Sequence, residues 1–180
     1  MEKQIFIADP SFPFDRVKFD LRNRNNKPYS AFWTCDWKDD TASTDWIAYC
    51  IDHGYSDMIS DYLVYCITPK DSAQVYPINC VNAFSSIRLS KINGKFWKNH
   101  TTRLMIDFQQ MALVYDGIKL VEYPHINLGC DHPMWLTYAN SMYSWNVPST
   151  CWMNTKWIES IHCVGPLAEY VDLPVVPIAV

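Results

Sequence analysis

The chain has 180 residues, 49% apolar and 19% charged, which suits a folded globular protein and excludes an intrinsically disordered one. Its net charge of −4 excludes the broad basic face of a general nucleic-acid binder, though not local contact with nucleic acid. Eight Trp and eleven Tyr serve cores, stacking pockets and interfaces equally well, so they leave the class of function open.

Residues 1–8, MEKQIFIA, are too short and too polar for a signal peptide. No apolar run reaches membrane-spanning length, so the expectation is a cytoplasmic protein without a membrane partner. Residues 4–8 and 16–22 read as strands; in VKFDLR, Val17, Phe19 and Leu21 alternate with Lys18, Asp20 and Arg22. The Asn- and Pro-rich stretch 23–30 reads as a loop, and 31–35 as a short apolar strand. STDWIAYCIDHG predicts a helix capped by Ser43 or Thr44, with Asp45 in its first turn, Trp46, Tyr49 and Cys50 on one face, and Gly54 as its stop.

Residues 62–68 and 74–78 read as strands, the second at an edge because of Pro77. Residues 79–87 predict a short helix. A further helix starts at the cap Asp107, with Gln110 three residues on and Phe108, Met111, Ala112 and Tyr115 as its apolar face. Residues 118–123 read as a strand, 124–143 as an irregular aromatic loop and 149–153 as a strand. NTKWIESIHC then predicts a helix with Trp157, Ile158 and Ile161 inward. The organisation is one domain over 1–165 and an extended, Pro-containing tail over 166–180. Strands and short helices alternate without βαβ spacing, which predicts an α+β fold with a mainly antiparallel sheet and short flanking helices. No GxGxxG or GxxxxGK[ST] is present, which argues against Rossmann and P-loop sites.

Seven Cys form no CxxC pair; Cys130/His132 and His162/Cys163 come nearest to metal spacing, so neither a structural zinc nor a disulfide framework is expected. Arg16, Lys18, Arg22, Arg24 and Lys27 form the one basic cluster, suited to an anionic ligand or to a solvated edge. Asp36, Asp39 and Asp40 form a small acidic group, either loop charge or a partner-facing patch. Cys35 as a nucleophile requires a nearby His, and no spacing selects one among His53, His100, His125, His132 and His162.

Four stretches in order carry a resemblance. Lys27-Pro28 and Phe32-Trp33-Thr34-Cys35 are similar to N-K-P-x-G-G-L-W-T-S, and Asp45-Trp46 with Tyr49-Cys50 to S-x-W-x-x-W-C. Tyr115-Asp116-Gly117-Ile118 fits a Y-D-G-I stretch, and Trp145 to Trp152 resembles W-D-x-E-S-T-x-W, with Asn146 for Asp and Pro148 for Glu. Over residues 26–153 the chain thus resembles a family of bacterial and phage proteins with an ADP-ribosyltransferase-like fold. The resemblance implies NAD as substrate and transfer of ADP-ribose to a protein or nucleic-acid target; the expected state is a monomer or small homo-oligomer, without a metal. It implies a cleft with residues 31–35 and 144–150 as walls. Binding would fall to Lys27, Trp33, Thr34, Cys35, Trp46, Trp145 and Asn146, with Trp152 a further stacking surface. Catalysis would fall to Ser149 and Thr150.

Pro148 stands where the family places the glutamate that stabilises the departing-nicotinamide transition state. Glu122 could replace it, since it shares strand parity with Ile118 and Leu120; equally, Glu122 is where the strand meets water. The other readings are binding without catalysis, with the Trp rings stacking a nicotinamide or a base, and a non-enzymatic inhibitor of phage type that blocks a host protein through an aromatic and acidic surface.

Overall fold

The structure, a computed structural model, describes residues 1–24, 26–37, 44–55, 59, 61–93, 102–122, 134–142 and 145–169. Ser43, Asp39, Asp40, His100, His125, Cys130, His132 and the tail beyond residue 169 lie outside that set. The chain divides into two units: Met1–Val17, Trp33–Ala73 and Trp157–Val180 form the first, Lys18–Phe32 and Gln74–Lys156 the second.

The first unit is built on an antiparallel sheet. Its strands are β1 (Gln4–Ala8), β4 (Phe32–Asp36, entering the unit at Trp33), β5 (Leu63–Pro69) and β11 (Ile158–Pro166), in the order β11-β5-β1-β4. β1 is central, facing Cys35 through Ile5 on one side and Cys66 through the same residue on the other. The β5–β11 ladder is fastened at both ends, where Lys70 N donates to Trp157 O at 2.7 Å and Leu167 N to Tyr62 O at 2.8 Å. Trp157 and Leu167 are buried there, so the ladder's ends are also its apolar anchors.

The helix α1 (Asp45–Asp52) follows its sequence signals closely. Thr44 caps it, its side chain accepting from Ile47 N at 3.2 Å, and Asp45 sits in the first turn. At the other end Tyr55 N donates to Cys50 O and Gly54 N to Ile51 O, with Gly54 at φ 72°. That is a Schellman stop, and it needs the left-handed conformation glycine adopts without strain. The buried face is Ile47 and Cys50, while Trp46 and Tyr49 are half-buried.

The second unit holds β6 (Val75–Ile78), β9 (Gly117–Leu120) and β10 (Ser149–Trp152) in the order β10-β9-β6; β9–β10 is antiparallel and β6–β9 parallel. It also holds two antiparallel pairs, β2 (Asp20–Arg24) with β3 (Lys27–Ser30) and β7 (Leu89–Asn93) with β8 (Thr102–Ile106). The short helix α2 (Phe108–Met111) packs on β2, and α3 (Trp135–Met142) on β8. Asp107 caps α2 as its sequence predicts, accepting from Gln110 N at 3.0 Å. Trp145, Trp152, Phe84, Phe108 and Met111 fill the core.

The α+β class and mainly antiparallel pairing are as expected from sequence. Several elements are not. Residues 158–166 form β11, not a helix: β-branched Ile158, Ile161 and Val164 suit a strand, and the seven residues of β5 supply a ladder that local propensity does not. The strand expected at 16–22 begins instead at Asp20, because a 3-10 turn at Phe14–Arg16 follows Pro13. The loop expected over 23–30 is largely the β2–β3 hairpin, in which Arg24 faces Lys27. Within the loop expected over 124–143, residues 135–142 form α3, and 124–133 and 143 lie outside the described residues.

Candidate functional site

In the second unit, Lys27 opens β3 and is half-buried. Loss of water around its ammonium holds its pKa below the ordinary lysine range, and the Cys151 thiol acts on it in the opposite sense. Cys151 lies on β10 and is fully buried; burial pushes its thiol well above the usual range, only partly offset by Lys27. The pair is therefore a cation short of solvent beside a neutral thiol. Cys151 carries no sequence signal, since its neighbour comes from another strand pair.

The WNVPSTCW stretch enters the core quickly. Trp145 is 1% exposed and Trp152 0%, Thr150 and Cys151 are equally closed, and Asn146 is exposed. Pro148 and Ser149 are half-buried, and the Ser149 hydroxyl donates to Val147 O at 3.1 Å, a local turn bond. Trp145, Trp152 and Thr150 thus act as packing residues in this conformation, and the rings offer no open face for stacking.

Glu122 lies two residues past the last residue of β9 and is exposed, which fits its reading as the point where the strand meets water. Ser149 faces Leu120, so the chain leaving β9 toward Glu122 runs past the start of β10. Glu122 and Pro148 therefore sit at the same end of the β9–β10 ladder.

The Y-D-G-I stretch is a structural knot. The Asp116 carboxylate accepts from Gln74 N at 2.9 Å and Asn154 Nδ2 at 3.0 Å. Its backbone N–H donates to Gln74 O and its carbonyl accepts from Met153 N. One residue so ties the approaches to β6 and β9 to the end of β10.

In the first unit, Thr34 and Cys35 are buried on β4, and Trp33 and Trp46 are half-buried. The Thr34 hydroxyl donates to Gln4 Oε1 at 2.7 Å, and Gln4 Nε2 donates to Asp36 Oδ1 at 2.8 Å. This relay satisfies the buried Gln4 and Thr34 side chains inside the sheet. Sequence gave no sign of it, because Gln4 stands thirty residues from Thr34.

The first unit also carries an aromatic cluster that sequence did not single out. Phe6, Phe12, Phe14 and Tyr65 pack mostly edge to face, with centroids 4.8 Å apart for Phe6–Phe12 and for Phe14–Tyr65. The three Phe rings are half-buried. Asp9 beside them is held below the usual carboxylate range by its bonds from the Ser11 hydroxyl and backbone N–H.

Among the described residues no group of three His, Cys, Asp or Glu is placed to hold a metal ion, and no helix is long and apolar enough to cross a membrane. No family model matches the chain, nor does any curated protein or solved structure.

Proposed function

We propose that this protein binds an anionic NAD- or nucleotide-type ligand, in keeping with its resemblance to ADP-ribosyltransferases, and does not transfer ADP-ribose. The observation that carries the reading is Lys27, half-buried on β3 and depleted of water. An ammonium in that position gains more from a phosphate than a solvated surface lysine does, because there is less hydration to give up. Pro148 supports the second half of the proposal: it offers no charge where an oxocarbenium-like transition state requires a carboxylate. Calorimetric titration with ADP-ribose tests it. The wild type binds and Lys27→Met weakens binding by about tenfold, about 1.4 kcal/mol.

A second reading, a non-enzymatic interaction protein, is favoured by the half-buried cluster of Phe6, Phe12 and Phe14 beside Asp9. On that reading neither ADP-ribose nor NAD binds, and replacing Phe12 abolishes capture of the partner.

A further inference from the structure

Six cysteines fall among the described residues: Cys35, Cys50, Cys66, Cys80, Cys151 and Cys163. Cys35, Cys50 and Cys151 are buried, and loss of water pushes the Cys50 and Cys151 thiols up. Such thiols are poor nucleophiles. Cys66, Cys80 and Cys163 have access to solvent.

The β5–β11 register distinguishes these three. His162 faces Cys66, and Cys163 faces Tyr65, within the regular stretch between the two irregularities of β11. Residues directly opposite in an antiparallel pair share a face, with Cβ atoms about 4.5–5.5 Å apart. Cys66 and His162 therefore stand on one face of the sheet, and Tyr65 and Cys163 on the other. The electrostatics agree: burial raises the Tyr65 phenol pKa first, and Cys163 is near enough to add to the shift. Although His162 adjoins Cys163 in sequence, strand parity turns them to opposite faces. Cys66 is half-buried and His162 exposed at the sheet edge, so the pair is open to a small reagent.

We propose that Cys66 is the most reactive thiol among the described residues, a site of mixed-disulfide formation with small disulfides of the glutathione class, with His162 as its proton acceptor. An imidazole opposite a thiol can take the proton as sulfur becomes a nucleophile, as in other Cys–His pairs. The Cys66 sulfur attacks one sulfur of glutathione disulfide while His162 takes the thiol proton. A new S–S bond forms as the old one breaks, and the departing glutathione thiolate leaves with the proton from His162. No other oxidant is needed. The site is independent of Lys27 and of nucleotide binding.

The test uses the intact folded chain, exposed in parallel to glutathione disulfide and to iodoacetamide, with the modified peptides timed by mass spectrometry. Cys163 is the internal reference. Exposure alone favours Cys163, the more open of the two; base assistance favours Cys66. The expected result is that Cys66 is modified before Cys163, and that His162→Gln slows Cys66 by about tenfold while leaving Cys163 unchanged. Protection of Cys151 in the same digest confirms that the variant is folded. The proposal is overturned if Cys163 is modified first in the wild type, or if Cys66 keeps its rate in folded His162→Gln. Should that variant fail to fold, the wild-type order decides alone.

Discussion

Gly117 and Trp152 face each other across the β9–β10 ladder with no room for a side chain on the glycine. A Cβ on Gly117 would lie 2.8 Å from Trp152 Cε3 and 3.3 Å from Cys151 O. The buried indole occupies the space that any other residue would fill. Two of the four stretches behind the ADP-ribosyltransferase resemblance thus meet here, and they meet as packing.

Gly117→Ala should therefore destabilise the protein by about 1–3 kcal/mol through overpacking. Gly54→Ala makes a useful contrast, since nothing lies within 4 Å of its added Cβ and the cost comes from φ 72° alone. That cost should be about 1 kcal/mol. Urea unfolding of both variants checks the order, and a Gly117→Ala variant as stable as the wild type would contradict the packing described.

Asp116→Ala removes both carboxylate bonds, to Gln74 N and Asn154 Nδ2. The expected loss is about 1–3 kcal/mol, with Asp116→Asn losing less because its one amide oxygen keeps one of the two bonds while its NH2 faces the other donor. Chemical denaturation measures both. Equal losses would show that the knot needs both acceptor oxygens.

Lys27 carries a prediction whose sign depends on pH. Its folded-state pKa is lowered, so the unfolded chain binds this proton more tightly. The lysine therefore opposes folding in full below its folded pKa, and the penalty fades as pH rises through the window from the folded value to the ordinary lysine value. At neutral pH, Lys27→Met should raise Tm while weakening ADP-ribose. The Tm gain should shrink in alkaline buffer. A lower Tm at neutral pH would mean that Lys27 contributes more through its contacts than burial costs it.

Much of the fold was legible where the signal is local. The cap at Thr44, the stop at Gly54 and the cap at Asp107 each rest on a few adjacent residues, and the structure has them. Trp157, Ile158 and Ile161 suit a helical face as well as a strand, and only the ladder with β5 decides for β11. The candidate site was less legible. A resemblance marks positions without saying whether they pack or react. Trp152, Thr34 and Gly117 are held by partners far along the chain, and Trp145 is buried. The Cys66–His162 facing and the Lys27–Cys151 pairing likewise depend on tertiary neighbours, which no spacing encodes.

Pro148→Glu returns a carboxylate to the position the resemblance marks as catalytic. Because Glu122 sits at the same end of the β9–β10 ladder, Glu122→Gln is the necessary companion. On this account nicotinamide release from NAD is at background in the wild type and in Glu122→Gln, and rises in Pro148→Glu. Release in the wild type that disappears in Glu122→Gln would make Glu122 the working carboxylate and the protein a transferase.

The most direct test of the central claim is titration of the wild-type protein with NAD and with ADP-ribose in a calorimeter, with nicotinamide release followed in the same samples. The account predicts saturable binding of both ligands, weakened in Lys27→Met, and no nicotinamide released. Absence of binding by either ligand would contradict it and leave the interaction reading in its place; binding accompanied by nicotinamide release would contradict the claim that transfer is lost.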